Sequence, residues 1–334
     1  MNKIDFVIPW VDGSDPEWQK TFNQYAPKSK QINDADAARF RDWGLLPYWF
    51  RGVEKFAPWV NTIHFITCGQ VPDWLNLNAP KLHWVRHEDY IPKQFLPVFN
   101  VNPLELNLHR IDGIADQFVY FNDDTFLIKP IPQTRFFKNG LPCDCAVCNT
   151  ILPTRQGVMT HIMANNMALI NEHFDKHTAI KKNLRKWFNC KYGMQQFRTL
   201  LLWGWPEFSN LYEHHQPNAF LKSTYEEIWS LYEDVLLETS MTRFRNISNC
   251  SQWLMRDWRL VKGEFEPYNV AKDSYSCILD KDPLNYITTI IKQQKKSLLC
   301  INDGSIKPEE IENTRTQLLQ AFDSILPEKS SFEK

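Results

Sequence analysis

No stretch of this 334-residue sequence approaches the roughly 20 consecutive apolar residues that a membrane-spanning helix needs. The opening "MNKIDFVIPW" runs straight into a strand-like segment instead of an apolar stretch followed by small residues, so no secretory leader is read there. Three signatures are missing as well. There is no G-x-G-x-x-G, no G-x-x-x-x-G-K and no G-x-S-x-G elbow, which sets aside hydride transfer, P-loop chemistry and the common serine hydrolases. A net charge of -1 excludes bulk electrostatic binding to nucleic acid, which needs a strongly basic surface. Internal repeats and low-complexity linkers are also absent.

Eight cysteines without a leader point to reduced thiols and a cytoplasmic protein. Cys143, Cys145 and Cys148 form a C-x-C-x2-C cluster that could hold zinc, with Cys190 or a histidine as fourth ligand. No fourth ligand stands at the usual spacing, so ordinary buried or loop thiols are expected. Aromatic residues make up 14% of the chain, 13 of them Trp; such rings pack cores and also line sugar and nucleotide pockets.

The first half alternates strand and helix patterns. Strands are predicted over 4–11, 62–69, 81–87 and 117–124, and helices over 44–59 and 103–114. This alternation implies βαβ units and a mostly parallel sheet, whose ligands gather at the carboxyl ends of the strands. From about residue 150 the pattern turns helical, over 177–203, 223–240 and 307–326. In the last of these Ile311, Leu318, Phe322 and Ile325 share one face. The expected architecture is an α/β core with a helical second half packed across it, ending in a frayed polar tail.

Four clusters carry chemistry. Asp12, Gly13, Ser14 and Asp15 follow the first strand, where a backbone turn can take a phosphate or be nothing more than a turn. Arg39, Arg41 and Asp42 follow; two guanidinium groups on one side of an extended segment can clamp a diphosphate. Asn122, Asp123 and Asp124 stand at the end of the fourth strand, where paired carboxylates can bind Mg²⁺ or Mn²⁺ or accept a proton from an attacking hydroxyl. The fourth set is scattered: His214 and His215 in "HHQP", Arg243 and Arg245 in "TRFRN", Asn302 and Asp303 in "CINDGS". Carboxylates, arginines and histidines together are the inventory of phosphoryl transfer.

The stretches "DFVIPWVDGSDPEW", "RFRDWGLLPYWFRGVEKFAPWVNTIHFITCGQVPDWLNL" and "LPVFNVNPLELNLHRIDGIADQFVYFNDDTFL" resemble the first two conserved regions of the Stealth family. "HHQPNAFLKSTYEEIW…TSMTRFRN" is similar to its third region and "CINDGS" to its fourth. Members are sugar-1-phosphate transferases of bacterial capsular and related surface polysaccharides, and the N-acetylglucosamine-1-phosphotransferase of animal lysosomal enzymes is a relative. The resemblance implies a Rossmann-like (GT-A-like) nucleotide-sugar-binding core over 1–150 and a mainly helical part over 151–334 that completes the active site. It implies a UDP-hexose or UDP-N-acetylhexosamine donor, an oligosaccharide or lipid-linked glycan acceptor, release of UMP, and Mg²⁺ or Mn²⁺. Carried over by position, Asp12 and Gly13 belong to the nucleotide turn, and Arg39, Arg41 and Asp42 to the clamp. Asp123 and Asp124 match the Asp pair beside Asn122, His215 the His-x-Pro, Arg245 the third-region arginine, and Asn302 and Asp303 the last pair. Leu45, Leu46 and Pro47 stand where the family usually has polar residues, and Val101 replaces its usual Ser, so these positions bear on sugar specificity.

The expected mechanism has Arg39, Arg41 and the first turn holding the diphosphate, and Arg245 neutralising the transferred phosphoryl group. Asp124, ahead of His215, takes the acceptor proton, and Asp303, with or without Asp123, holds the metal. Two other readings are a metal-dependent glycosyltransferase that releases UDP and a non-catalytic glycan-binding protein. Between Lys176 and Pro206 stand seven Lys and Arg and no Asp or Glu. That segment can lie on an anionic membrane, placing the protein peripherally on the inner face of a bacterial cell membrane, or present one solvated basic face and one core face.

Overall fold

The computed structural model describes residues 3–27, 42–155 and 157–334. Arg39 and Arg41 lie outside the described residues. Strand β1 (Ile4–Pro9) is the middle of the main sheet, and α1 (Pro16–Tyr25) and α2 (Leu46–Phe56) follow it. Strands β2 (Ile63–Thr67), β3 (Leu82–Arg86) and β4 (Gln117–Tyr120) are parallel to it. The sheet order is Asn218–Leu221, β4, β1, β2, β3, with Asn218–Leu221 antiparallel to β4. The chain builds outward from β1 to β3 and then returns to the other side of β1, so the order reverses between β1 and β4. In open α/β sheets a ligand crevice forms outside the strand ends at such a reversal.

The expected α/β class with a mostly parallel sheet is what the chain adopts. The second half is less helical than its pattern predicts. It supplies Asn218–Leu221 to the main sheet and the parallel pair Ser274–Ile278 and Leu298–Asn302, which joins strand β5 (Thr125–Leu127) in a second sheet. These strands are short apolar runs between polar turns, which periodicity alone does not separate from helix. The predicted 177–203 helix is broken into Lys176–Lys182, Leu184–Trp187, a 3-10 turn and Gln196–Leu201, with Gly193 at a φ of 56°. The 103–114 helix shrinks to Val101–Leu106 and one 3-10 turn.

Alternation along the strands covers both sheet faces. Phe6, Ile8, Val119 and Phe121 enter one core with α2 and the helix Pro308–Asp323. Val7, Phe118, Tyr120 and Phe220 enter the other, against helices Val158–His173, Lys222–Leu231 and Trp253–Lys262. In α2, Leu46, Trp49, Phe50, Val53 and Phe56 recur at helical spacing on the buried side, and Pro47 sits in the first turn, where its missing N–H costs nothing. A Cβ at Gly52 would stand 2.7 Å from the Leu127 carbonyl, so glycine is what lets β5 lie against α2. The C-terminal tail is docked rather than frayed. Phe332 enters the first core, and Arg51 forks onto Glu333 at 2.8 and 2.7 Å.

Candidate active site

β4 ends at Tyr120 and β5 begins at Thr125, so the Asn122-Asp123-Asp124 turn joins the two sheets. The Phe121 N–H donates to the Val7 carbonyl at 2.8 Å, and the Thr125 N–H closes the turn on the Asn122 carbonyl at 3.1 Å. Two antiparallel partners bring remote segments to this turn. Asn218 pairs with Tyr120, so the residues just before it, His215 to Pro217, run alongside the turn. Cys300 pairs with Thr125, and the Ile301 N–H donates to the Asp124 carbonyl at 2.8 Å, so Asn302 and Asp303 arrive beside Asp124.

The turn is the common wall of two cavities. One, about 260 Å³, is lined by Asp42, Leu45, Asn302 and Asp303 together with Trp10, Asp123 and Asp124. The other, about 350 Å³, adds Val101, Tyr120, Asn122 and Arg245 to the same Trp10, Asp123 and Asp124. Seven of the sequence-predicted residues (Asp42, Asn122, Asp123, Asp124, Arg245, Asn302 and Asp303) therefore meet at one place. Leu45, Leu46 and Val101, the departures from the family pattern, line these walls too.

Asp12 and Gly13 are set otherwise. The Asp12 carboxylate accepts from the Ser14 N–H at 2.9 Å and hydroxyl at 2.6 Å, and the Gly13 carbonyl accepts from Gln19 Nε2 at 2.8 Å. Asp15 caps α1 and accepts from Gln70 Nε2 at 2.8 Å. This turn anchors α1, whose Phe22 meets Phe244 at 5.2 Å beside Arg245 in the chain. The first-region residues on the cavity walls are Pro9, Trp10, Val11 and Trp18, of which Trp10 and Val11 line both cavities. The Arg245 loop is also tied to the Asn100 loop: Asn100 Nδ2 and the Asn246 N–H both donate to Asn249 Oδ1, at 2.8 and 3.0 Å.

The carboxylates are electrostatically uneven. Burial raises the Asp123 pKa to about 7, helped by the negative charges of Asp124 and Asp42. Its side chain is accessible to the cleft yet lies deep in the molecule, where a narrow pocket of water solvates a charge poorly. Burial also raises the pKa of Asp124, while the charge of nearby His215 pulls it down. The Thr125 hydroxyl donates to Asp124 Oδ1 at 3.1 Å and the Cys300 thiol to Oδ2 at 3.4 Å. His215 is exposed.

Two groups escape sequence reasoning. Glu105 is buried behind Arg245; burial raises its pKa to about 7, against the opposing pulls of Tyr120 and Arg245, and Gln252 Nε2 donates to its Oε1 at 2.9 Å. The second is centred on Asp144, buried with Arg256, which forks onto it at 2.9 and 2.8 Å. Arg259 bonds the same carboxylate, and His214 Nε2 lies 3.3 Å from it. Burial lowers the His214 pKa to about 4, so its ring is neutral at neutral pH. On the other side Gln216 Nε2 donates to Ser276 Oγ at 2.8 Å. His215 is therefore held between two pinned neighbours. The available signal was a charge inside an apolar run, as in "PLEL", "CDC" and "MRDWRLV".

Asp42, Asp123, Asp124 and Asp303 offer hard oxygen ligands on one cavity, and the repulsion from Asp124 and Asp42 that adds to burial in raising Asp123 is what a divalent cation relieves. Among the described residues no three His, Cys, Asp or Glu side chains converge as a ready-made cage. The donor set fits an ion such as Mg²⁺ that takes one or two carboxylates and fills its shell with water and phosphate oxygens. Cys143, Cys145 and Cys148 are buried thiols; burial raises Cys143 and Cys148 to about 11 and Cys145 to about 12, which keeps them protonated.

Residues 2–30 match the family description "Stealth protein CR1, conserved region 1", and residues 39–143 match "Stealth protein CR2, conserved region 2". The capsular polysaccharide phosphotransferase WcwK of Streptococcus pneumoniae is 40% identical over 335 residues, spanning 100% of this chain and 99% of its own. An exopolysaccharide phosphotransferase of Lactiplantibacillus plantarum is 38% identical over 340 residues, 99% of this chain and 96% of its own. A receptor polysaccharide phosphotransferase of Streptococcus oralis is 38% identical over 340 residues, covering 100% of both chains.

Proposed function

Because the chain belongs to the Stealth family and is a transferase of phosphorus-containing groups, we propose that it moves a sugar 1-phosphate from a UDP-sugar to a glycan hydroxyl. The acceptor oxygen attacks the phosphorus next to the sugar. The bond from that phosphorus to the bridging oxygen breaks, UMP leaves, and a phosphodiester remains in a capsular or surface polysaccharide. The observation that carries this reading is the Asn122-Asp123-Asp124 turn as a wall shared by two cavities, with Arg245 on one and Asp42, Asn302 and Asp303 on the other. Such an arrangement suits a donor and an acceptor that meet across a carboxylate.

Asp124 takes the acceptor proton. Burial raises its pKa while the charge of His215 opposes that rise, and the neighbouring His215, held by the His214 and Gln216 anchors, orients it or relays the proton. Arg245 faces the charge that spreads over the equatorial phosphoryl oxygens, where a fixed guanidinium acts with little reorganisation. Arg39 and Arg41 complete the grip on the diphosphate, while Asp12 and Gly13 hold the turn that anchors α1. Mg²⁺ or Mn²⁺ held by Asp303 with Asp123 would supply positive charge to offset the leaving nucleotide phosphate. Loss of one such contact typically slows turnover about a hundredfold. Asp124→Asn, His215→Ala and Arg245→Ala are each expected to do so with unchanged circular dichroism. Near-wild-type transfer by all three would sink the mechanism.

A further inference from the structure

Helix Gln196–Leu201 is inverted with respect to an ordinary surface helix. Its Thr199 is buried and accepts from the Cys148 N–H at 3.0 Å. Phe197, Leu200 and Leu201 point the other way, 48%, 57% and 75% exposed. Met194, one turn earlier, is 80% exposed and Trp205, in the following turn, 58%. Among the described residues thirteen large hydrophobic side chains are exposed, and six lie between Leu184 and Trp205, so the concentration is local.

From 176 to 206 every charged side chain is basic, with the exposed Asp175 and Glu207 flanking the segment. Three of the segment's cations turn inward: Lys176 Nζ donates to the Leu202 and Trp205 carbonyls, Lys186 to Gly263 and Phe265, and Lys191 to Pro267. They fix the segment to the body of the protein. Lys181, Lys182, Arg185 and Arg198 stay exposed, with no Asp or Glu from 176 to 206. His177 bonds the Trp203 carbonyl at 2.9 Å and sits one helical turn before Lys181, so basic rim and apolar face belong to one surface. Among the described residues no helix is long and apolar enough to cross a membrane.

We propose that this surface seats the protein on an anionic lipid bilayer, with Phe197, Leu200, Leu201 and Trp205 entering the headgroup boundary and the basic rim meeting lipid phosphates. A second copy of the chain fits less well, because a two-fold contact through this face would set one basic rim against another. The helix packs on the strand Cys148–Asn149, whose partner strand Asn210–Leu211 leads into His215. The membrane seat and the catalytic cleft are thus joined by a short, rigid path, as suits an acceptor built on a lipid. The seat itself does not depend on the reaction proposed above.

The test is flotation of the full chain with vesicles of phosphatidylcholine alone and of phosphatidylcholine with phosphatidylglycerol. Flotation with the anionic vesicles is expected. Neutral vesicles, the pair Phe197→Glu with Leu201→Glu, or the pair Lys182→Glu with Arg185→Glu should each weaken partitioning about tenfold or more. Transfer to a soluble acceptor should be unchanged in both pairs, which separates failure here from failure of the catalytic reading. No flotation with anionic vesicles at low salt, or binding by both pairs as strong as that of the wild type, overturns the proposal. So does a concentration-dependent dimer that Phe197→Glu with Leu201→Glu dissolves in the absence of vesicle binding.

Discussion

Asp123 and Asp124 are adjacent in the chain and meet different surroundings. Asp124 has a hydroxyl and a thiol donating to it and a histidine nearby, while Asp123 faces the charges of Asp124 and Asp42. Sequence reasoning could give the pair different roles but not these surroundings, because the Cys300 thiol and the His215 charge come from far along the chain and only the Thr125 hydroxyl is local. Glu105 was hidden for the opposite reason: its flanking leucines mark a core helix, and nothing local signals the Arg245 and Gln252 that face it. Its raised pKa has a calculable consequence. The unfolded chain ionises this carboxyl near its ordinary value of 4.5 and the folded protein only near 7, so folding stability falls as pH rises between the two and is level above. Glu105→Gln keeps an acceptor for Gln252 and removes the titration. The melting temperature of this variant relative to wild type should climb from about pH 4.5 to 7 and then plateau. A difference that is flat across that window would mean the carboxyl is not held protonated.

At the scale of elements, two strand pairings do the assembly. They account for why "HHQP" and "CINDGS", unremarkable as isolated stretches, end beside one turn. The pairings were not legible because both strands are brief apolar runs within a helix-rich half. Support for the His215 segment depends on Asp144. Asp144→Asn leaves two buried guanidinium groups, Arg256 and Arg259, with Asp257 as their remaining carboxylate, and about 3–5 kcal/mol of stability should be lost in urea unfolding. A loss well under 1 kcal/mol would mean that solvent reaches the arginines. Gly52 sets the second sheet against the first. In Gly52→Ala the new methyl meets the Leu127 carbonyl, two residues after Thr125, with an expected cost of about 1–3 kcal/mol and a lowered turnover number as the turn shifts. Unchanged stability and rate would show that β5 can yield without moving Asp124.

Over the whole molecule the parallel sheet and the position of its crevice followed from strand–helix alternation, since a reversal of strand order leaves a cleft at the carboxyl ends. The docking of the polar tail did not, because Phe332 and Glu333 find Phe50 and Arg51 across nearly the full chain length. The family motifs in their order, and relatives 38–40% identical over the full chain, place it among enzymes that transfer phosphorus-containing groups. What distinguishes sugar-1-phosphate transfer from glycosyl transfer is which bond of the donor breaks, and the released nucleotide records that directly. With a UDP-sugar donor and a glycan acceptor, chromatography of the products should show UMP formed in step with product, and a donor labelled at the phosphorus next to the sugar should pass its label to the glycan. Release of UDP, with the label left on the nucleotide, would contradict the account.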